Sequence, residues 1–220
     1  MQIESLQNPK IKNLLKLQEK SRERKNQGLF IVEGKQENEL AIKGGYEAVE
    51  IYVCEDIYEP TIDFGRAKMF EITRIVFEKL AYRKSTGGIV GVYKTKSSNL
   101  STLKLPENPL VIVLEAVEKP GNLGAVLRTG DGAKVDAVIV CDETVDFFNP
   151  NVIRSSVGTL FTNKIASASK EEVLNFLKEH NVQVISTFLR DETISLYDAD
   201  FTSGSAIILG TEATGLSDFW

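Results

Sequence analysis

The stretch Leu110–Thr129, LVIVLEAVEKPGNLGAVLRT, runs an apolar segment into Pro120-Gly121 and then into a helix-like segment with one arginine. A strand, a sharp turn and a helix are expected in that order. Such a junction is open to three readings: a plain strand-to-helix turn, a phosphate or dinucleotide loop, or part of a catalytic site. The dinucleotide fingerprint G-x-G-x-x-G is absent, because Gly121 and Gly124 are spaced G-x-x-G, and G-x-x-x-x-G-K-[ST] is absent too. A second Gly-rich stretch, AIILGTEATGLSDFW (206–220), again follows an apolar run. Ligands of open α/β sheets bind beyond the carboxyl ends of the strands. If these two strands are neighbours, Glu212 converges with Asn122 and Arg128. Each residue also has a plainer reading: Glu212 as a turn residue, Asn122 as a helix N-cap, Arg128 as a surface residue of its helix.

Outward from that junction the second half alternates cleanly. LVIVLEAV, DAVIVC, VQVIST and AIILG are short apolar runs bounded by polar turns, as buried parallel strands are. Helices are expected over 122–133, 149–157 and 169–180, the last opened by a capping box of Ser169 and Glu172. Residues 96–106, within KTKSSNLSTLKLPENP, are poor in large apolar side chains and read as a linker. Before it, NPKIKNLLKLQEKSRERKNQ sets Ile11, Leu14 and Leu15 on one helical face amid basic residues. LFIVEG, AVEIYVC and GIVGVYK read as strands, and KQENELAIKGG and TRIVFEKLAYRK as helices, so this half is an α/β layer as well.

Charge divides the chain. Residues 1–104 hold 18 Lys+Arg against 14 Asp+Glu, whereas 105–220 hold 8 against 17. The excess of positive charge sits in residues 1–25, with seven basic side chains against three acidic. That asymmetry suggests different tasks for the halves, although a solvated basic helix would look the same. One histidine and two cysteines cannot build an ordinary zinc site, and no metal is expected. His180 falls near a helix end and reads as a solvated cap, and Cys54 and Cys141 lie in apolar runs and read as buried thiols. No run of about 18 apolar residues is present, so no membrane span is expected.

PGNLGAVLRT and ILGTEATGLS, with VDFFNPNVIRSSVGTLF (145–161) between them, resemble the motifs of the SpoU (TrmH) family of RNA ribose methyltransferases, of the knotted SPOUT superfamily. The front half is similar to that family's substrate-binding domain, so the resemblance covers nearly the whole chain. It implies an α/β RNA-binding domain at 1–95, a linker at 96–106 and a SPOUT-type knot domain with a parallel sheet at 107–220. The implied reaction transfers a methyl group from S-adenosylmethionine to a ribose 2′-hydroxyl of structured RNA, rRNA rather than tRNA. Carried over by motif, Arg128, Asn122 and Glu212 are the expected catalytic residues. Leu209, Gly210 and Thr187 are expected beside the cofactor, and Lys10, Lys12, Arg22, Arg24 and Lys25 at the RNA. The resemblance also implies a cytoplasmic homodimer.

Two features depart from the family pattern. Gly130 and Gly132 fall where the family has an Ala-rich helix, and each costs about 1 kcal/mol relative to alanine. A shorter or weaker helix is expected there. The family's third motif, an Ile-Pro-Met loop, a Ser-Leu-Asn turn and a last helix, is not found up to Trp220. On that ground a non-catalytic RNA-binding protein of the same fold is the alternative expectation, beside a methyltransferase acting on tRNA.

Overall fold

The computed structural model describes residues 2–82, 87–188 and 193–220. In chain order the elements are α1 (Pro9–Glu19), α2 (Ser21–Gln27), β1 (Leu29–Glu33), α3 (Lys35–Lys43), β2 (Ala48–Val53), β3 (Lys68–Glu71), α4 (Arg74–Leu80) and β4 (Ile89–Lys94). They continue with β5 (Leu110–Glu115), α5 (Pro120–Gly132), β6 (Ala137–Cys141), α6 (Pro150–Ser155), β7 (Ile165–Ala168), α7 (Lys170–Glu179), β8 (Gln183–Ser186) and β9 (Ser205–Leu209). The chain forms two compact units, one of Met1–Lys96 with Asp146–Thr162, the other of Ser97–Val145 with Asn163–Trp220.

The first unit is a four-stranded sheet in the order β1-β4-β2-β3, antiparallel except where β3 runs parallel to β2. α1 starts because Pro9 presets the first helical residue and the Asn8 side chain accepts the Lys10 N–H. The single basic helix read from the sequence is two: Lys20 is extended between α1 and α2, and Gly28 closes α2 in the left-handed region. Ile11, Leu14 and Leu17 of α1 pack with Ile31, Tyr52, Val76 and Phe77. Phe30 instead joins an aromatic group with Tyr46, Tyr93, Phe148 and Phe161, stacking on Phe148 at 4.5 Å between centroids. Phe148 and Phe161 come from the distant 146–162 segment, whose α6 opens with Asn149 capping Asn151 and Pro150 in the first turn. The helix expected over 73–84 ends at Leu80, and Arg83 and Lys84 lie outside the described residues.

The second unit is a wholly parallel sheet in the order β7-β6-β5-β9-β8. The four strands read from the sequence are there, with β7 added at one edge. β6 is buried throughout, and Val111, Val113, Ile139, Ala206 and Ile208 share one core with Val173 and Leu177 of α7. The capping box that opens α7 is present in both directions. α5 runs through Gly130 to Gly132, where a shorter helix was expected. Residues 97–106, read as a linker, belong to this unit: Leu103 is in its core, and Ser98 O accepts the Ser167 N–H at 2.7 Å. The strands place the site. From β5 the chain adds β6 and β7 to one side, then crosses to the far edge and inserts β9 between β8 and β5. The loops leaving β5 and β9 therefore diverge over neighbouring strands, which opens a crevice at their carboxyl ends.

Candidate active site

The β5–β9 crevice holds a cavity of about 460 Å³. Its floor and walls include Leu114, Val117 and Leu209, which are apolar, and its rim carries Lys119, Asn122 and Glu212. Pro120 starts α5 directly after Lys119, so the turn is short and Asn122 sits in the first helical turn facing the crevice. From β9 the chain enters a tight loop. Thr211 and Gly215 exchange main-chain hydrogen bonds of 3.0 and 3.1 Å, and Thr211 Oγ1 lies 2.8 Å from Thr214 Oγ1. A Cβ added at Gly210 would collide with the Gly215 backbone, so the two limbs of this loop touch and position 210 has no room for a side chain.

Glu212 projects from the tip of that loop. Its Oε1 accepts from Asn122 Nδ2 at 2.9 Å, and its Oε2 is bonded by Lys119 Nζ. The two glycine-bearing stretches are thus tied together by Asn122 and Glu212. The Lys119 bond first, then the Asn122 bond, holds the Glu212 carboxyl below the ordinary carboxylate range, and Glu212 in turn raises Lys119. Both side chains are more than half exposed, so the pair orders the rim rather than stabilising the fold.

The remaining expected site residues fall in different places. Leu209 and Gly210 line the cavity. Arg128 is exposed on α5 outside the cavity lining, with no hydrogen bond or ion pair to the described residues. Thr187, at the end of β8, also lies outside that lining; its hydroxyl and main-chain N–H both donate to Ile208 O, at 2.8 and 3.1 Å. It borders a separate cavity of about 510 Å³ along β8. In the first unit Lys12, Arg22 and Lys25 are exposed. Lys10 is pinned to Glu50 Oε1 at 2.5 Å and lies over the Phe70 ring.

Arg24 is a correction. It is 2% exposed, its Nε donates to Asp146 Oδ2 at 2.7 Å, and its Nη1 donates to the carbonyls of Leu17 and Gln18. Buried and paired with Asp146 inside the first unit, it is a fold residue that no phosphate reaches. His180 closes α7, exposed, with Nδ1 donating to Phe176 O. Cys54 and Cys141 are buried, and burial pushes the Cys141 thiol up to about 12, which removes it as a nucleophile at neutral pH.

Sequence reasoning missed three residues. Lys119 stands inside the quoted stretch with no motif to single it out. Glu115, 5% exposed at the end of β5, accepts from the Ser217 N–H at 2.8 Å and from the Ser217 hydroxyl at 2.5 Å. A lone carboxylate ending the apolar run LVIVLE was the available signal, since such a group is buried only with partners.

A sequence profile described as the SpoU rRNA methylase family matches residues 109–220, and one described as the MRM3-like substrate binding domain matches 8–91. The chain is similar to the 23S rRNA (guanosine(2553)-2′-O)-methyltransferase RlmP of Bacillus subtilis (strain 168), 29% identical over 98% of this chain and 84% of that one. It is similar in structure to a protein solved as an RNA 2′-O ribose methyltransferase, at 33% identity and TM-score 0.85, covering 100% of this chain and 85% of the other. The AdoMet-bound rRNA methyltransferase of Sinorhizobium meliloti shares the fold at TM-score 0.87 and 24% identity, over 99% and 83% of the two chains.

Proposed function

Because the chain belongs to the SpoU rRNA methylase family, we propose that its β5–β9 crevice is the site of ribose 2′-O-methylation and that Asn122, Glu212 and Arg128 serve the reaction there. The protein is an S-adenosylmethionine-dependent RNA methyltransferase acting on rRNA. The observation that carries the site assignment is the Asn122–Glu212 hydrogen bond, which joins the two glycine-bearing loops beside one cavity at the switch point of the sheet.

The residues present fit the cofactor. The cavity has the volume of a single small-molecule site, with apolar walls suited to the adenine and methylene portions, and the peptide groups of Leu209 and Gly210 border it. Thr187 would contribute from the adjoining strand end. When bound, S-adenosylmethionine supplies an electrophilic methyl group on a sulfonium. The protein's own task is then to place the 2′-oxygen and favour its developing negative charge. Arg128, which has no partner among the described residues, is open to an RNA phosphate and adds a positive field at the attacking oxygen. A guanidinium stays protonated, so it acts as a clamp rather than a base. Asn122 orients Glu212, and Lys119 keeps that carboxylate ionised.

In the first unit Lys12, Arg22 and Lys25, with Lys10 at the edge, would meet the RNA backbone. The family resemblance also supports a C2 homodimer with a knotted second unit, working in the cytoplasm; sedimentation equilibrium tests the dimer. Transfer of radiolabelled methyl groups to rRNA, read out as alkali-resistant 2′-O-methylated dinucleotides, tests the reaction. Arg128→Ala is expected to lower turnover about 100-fold or more in a protein with an unchanged circular dichroism spectrum. Full turnover in a folded Arg128→Ala protein would remove Arg128 from the site.

A further inference from the structure

We propose that Glu115 and Ser217 form a positioning latch for this site: they anchor the 210–217 loop to the end of β5 and so hold Glu212 where Asn122 meets it. The inference rests on the reading of the crevice as the methyl-transfer site. Glu115 is the last residue of β5, and both of its oxygens are taken by one residue, Ser217, through its N–H and its hydroxyl. Neither residue lines the cavity, so neither touches a molecule bound there. Their effect passes along the loop. Leu216 beside Ser217 is buried in the core, the Thr211–Gly215 pair closes the loop, and Gly210 packs against Gly215. With those limbs in contact, the position of Ser217 sets the position of Glu212. β5 and the turn after it therefore hold the loop at two points. One is the buried bond set at Glu115; the other is the exposed set of Lys119 and Asn122 on Glu212. Solvent competes for the exposed set, so the buried one fixes the geometry.

The latch depends on hydrogen bonding, not on the charge of Glu115. Glutamine can replace it: its carbonyl accepts the Ser217 N–H, and its amide donates to the Ser217 hydroxyl oxygen, which accepts as readily as it donates. Leucine cannot. The test compares Glu115→Gln, Glu115→Leu and Ser217→Ala. It uses methylation kinetics on rRNA and, in the RNA-free protein, the NMR resonances of the Asn122 side-chain amide. Glu115→Leu is expected to lower kcat about tenfold with KM for RNA within about twofold, and to move the Asn122 resonances toward their solvent-exposed position. Ser217→Ala is expected to do the same in smaller measure, about threefold, and keeps the test alive if Glu115→Leu fails to fold. Glu115→Gln is expected to recover most of kcat and the wild-type resonances. Asn122 resonances unmoved in both Glu115→Leu and Ser217→Ala overturn the latch. Equal damage from Gln and Leu overturns it too, in favour of a role for the charge. Resonances that move as expected in the variants, with a wild-type protein unable to methylate rRNA, uphold the latch and overturn the methyltransferase reading instead.

Discussion

Glu212 is exposed, yet its carboxyl sits below the ordinary range because Lys119 and Asn122 both favour the ionised form. The charge-assisted tie to Asn122 is therefore at full strength above the ordinary carboxylate value and weakens as pH falls through the depressed one. Lys119→Met removes the larger cause, so the acid limb of a kcat–pH profile should move upward, while Lys119→Arg should leave it near its original place. Arg24 makes the opposite case, a cation with no functional exposure. Arg24→Met strands the nearly buried Asp146 carboxylate and two carbonyls, and should lower unfolding free energy by about 3–5 kcal/mol in urea titration. In sequence, Arg24 is indistinguishable from Arg22 two positions earlier. Helical phase decides between them, and its partner Asp146 is 122 residues away. The Asn122–Glu212 pair was legible because both residues stand in short motifs right after strands. Glu115 and Ser217 were not, because a hydrogen bond between a strand end and a remote loop leaves no local pattern.

At the scale of elements, local rules carried well wherever a cap or a period was present. The Ser169–Glu172 capping box was read directly, and Ser169→Ala should cost about 1 kcal/mol in thermal unfolding. β7 was missed because IASA has one large apolar side chain and no alternation; its place comes from pairing with β6. β3, with sequence KMFE and two exposed residues, is an edge strand that forms because β2 offers a parallel partner. The single basic helix broke in two at Lys20, where no glycine or proline announced it. α5 kept its full length despite Gly130 and Gly132, because its apolar face is buried at Leu123 and Leu127. At Gly130 an added Cβ would meet Val135 and Val138 at ordinary contact distances of 3.6 and 3.7 Å. Gly130→Ala should therefore stabilise the protein by about 0.5–1 kcal/mol, seen as a higher Tm.

At the scale of the molecule, the acidic second half cannot attract RNA over long range, so the basic front must do so. Replacing Lys12, Arg22 and Lys25 by Gln should weaken RNA binding and flatten its dependence on log salt by about 0.7 per lost phosphate contact, whereas Arg128→Ala should change that slope by no more than one contact. An unchanged slope in the triple variant would mean that this face is only solvated. The excursion of residues 146–162 into the first unit has a consequence for how the chain is made. Phe148 and Phe161 close the aromatic group around Phe30, and Asp146 neutralises Arg24. All three lie beyond β5, α5 and β6 in the order of synthesis. A ribosome that has released only the first 96 residues has therefore emitted a sheet with one aromatic face open and a buried arginine lacking its counter-charge. The amino-terminal unit is completed only after nearly half of its neighbour has been translated, so the nascent chain waits on its own later residues.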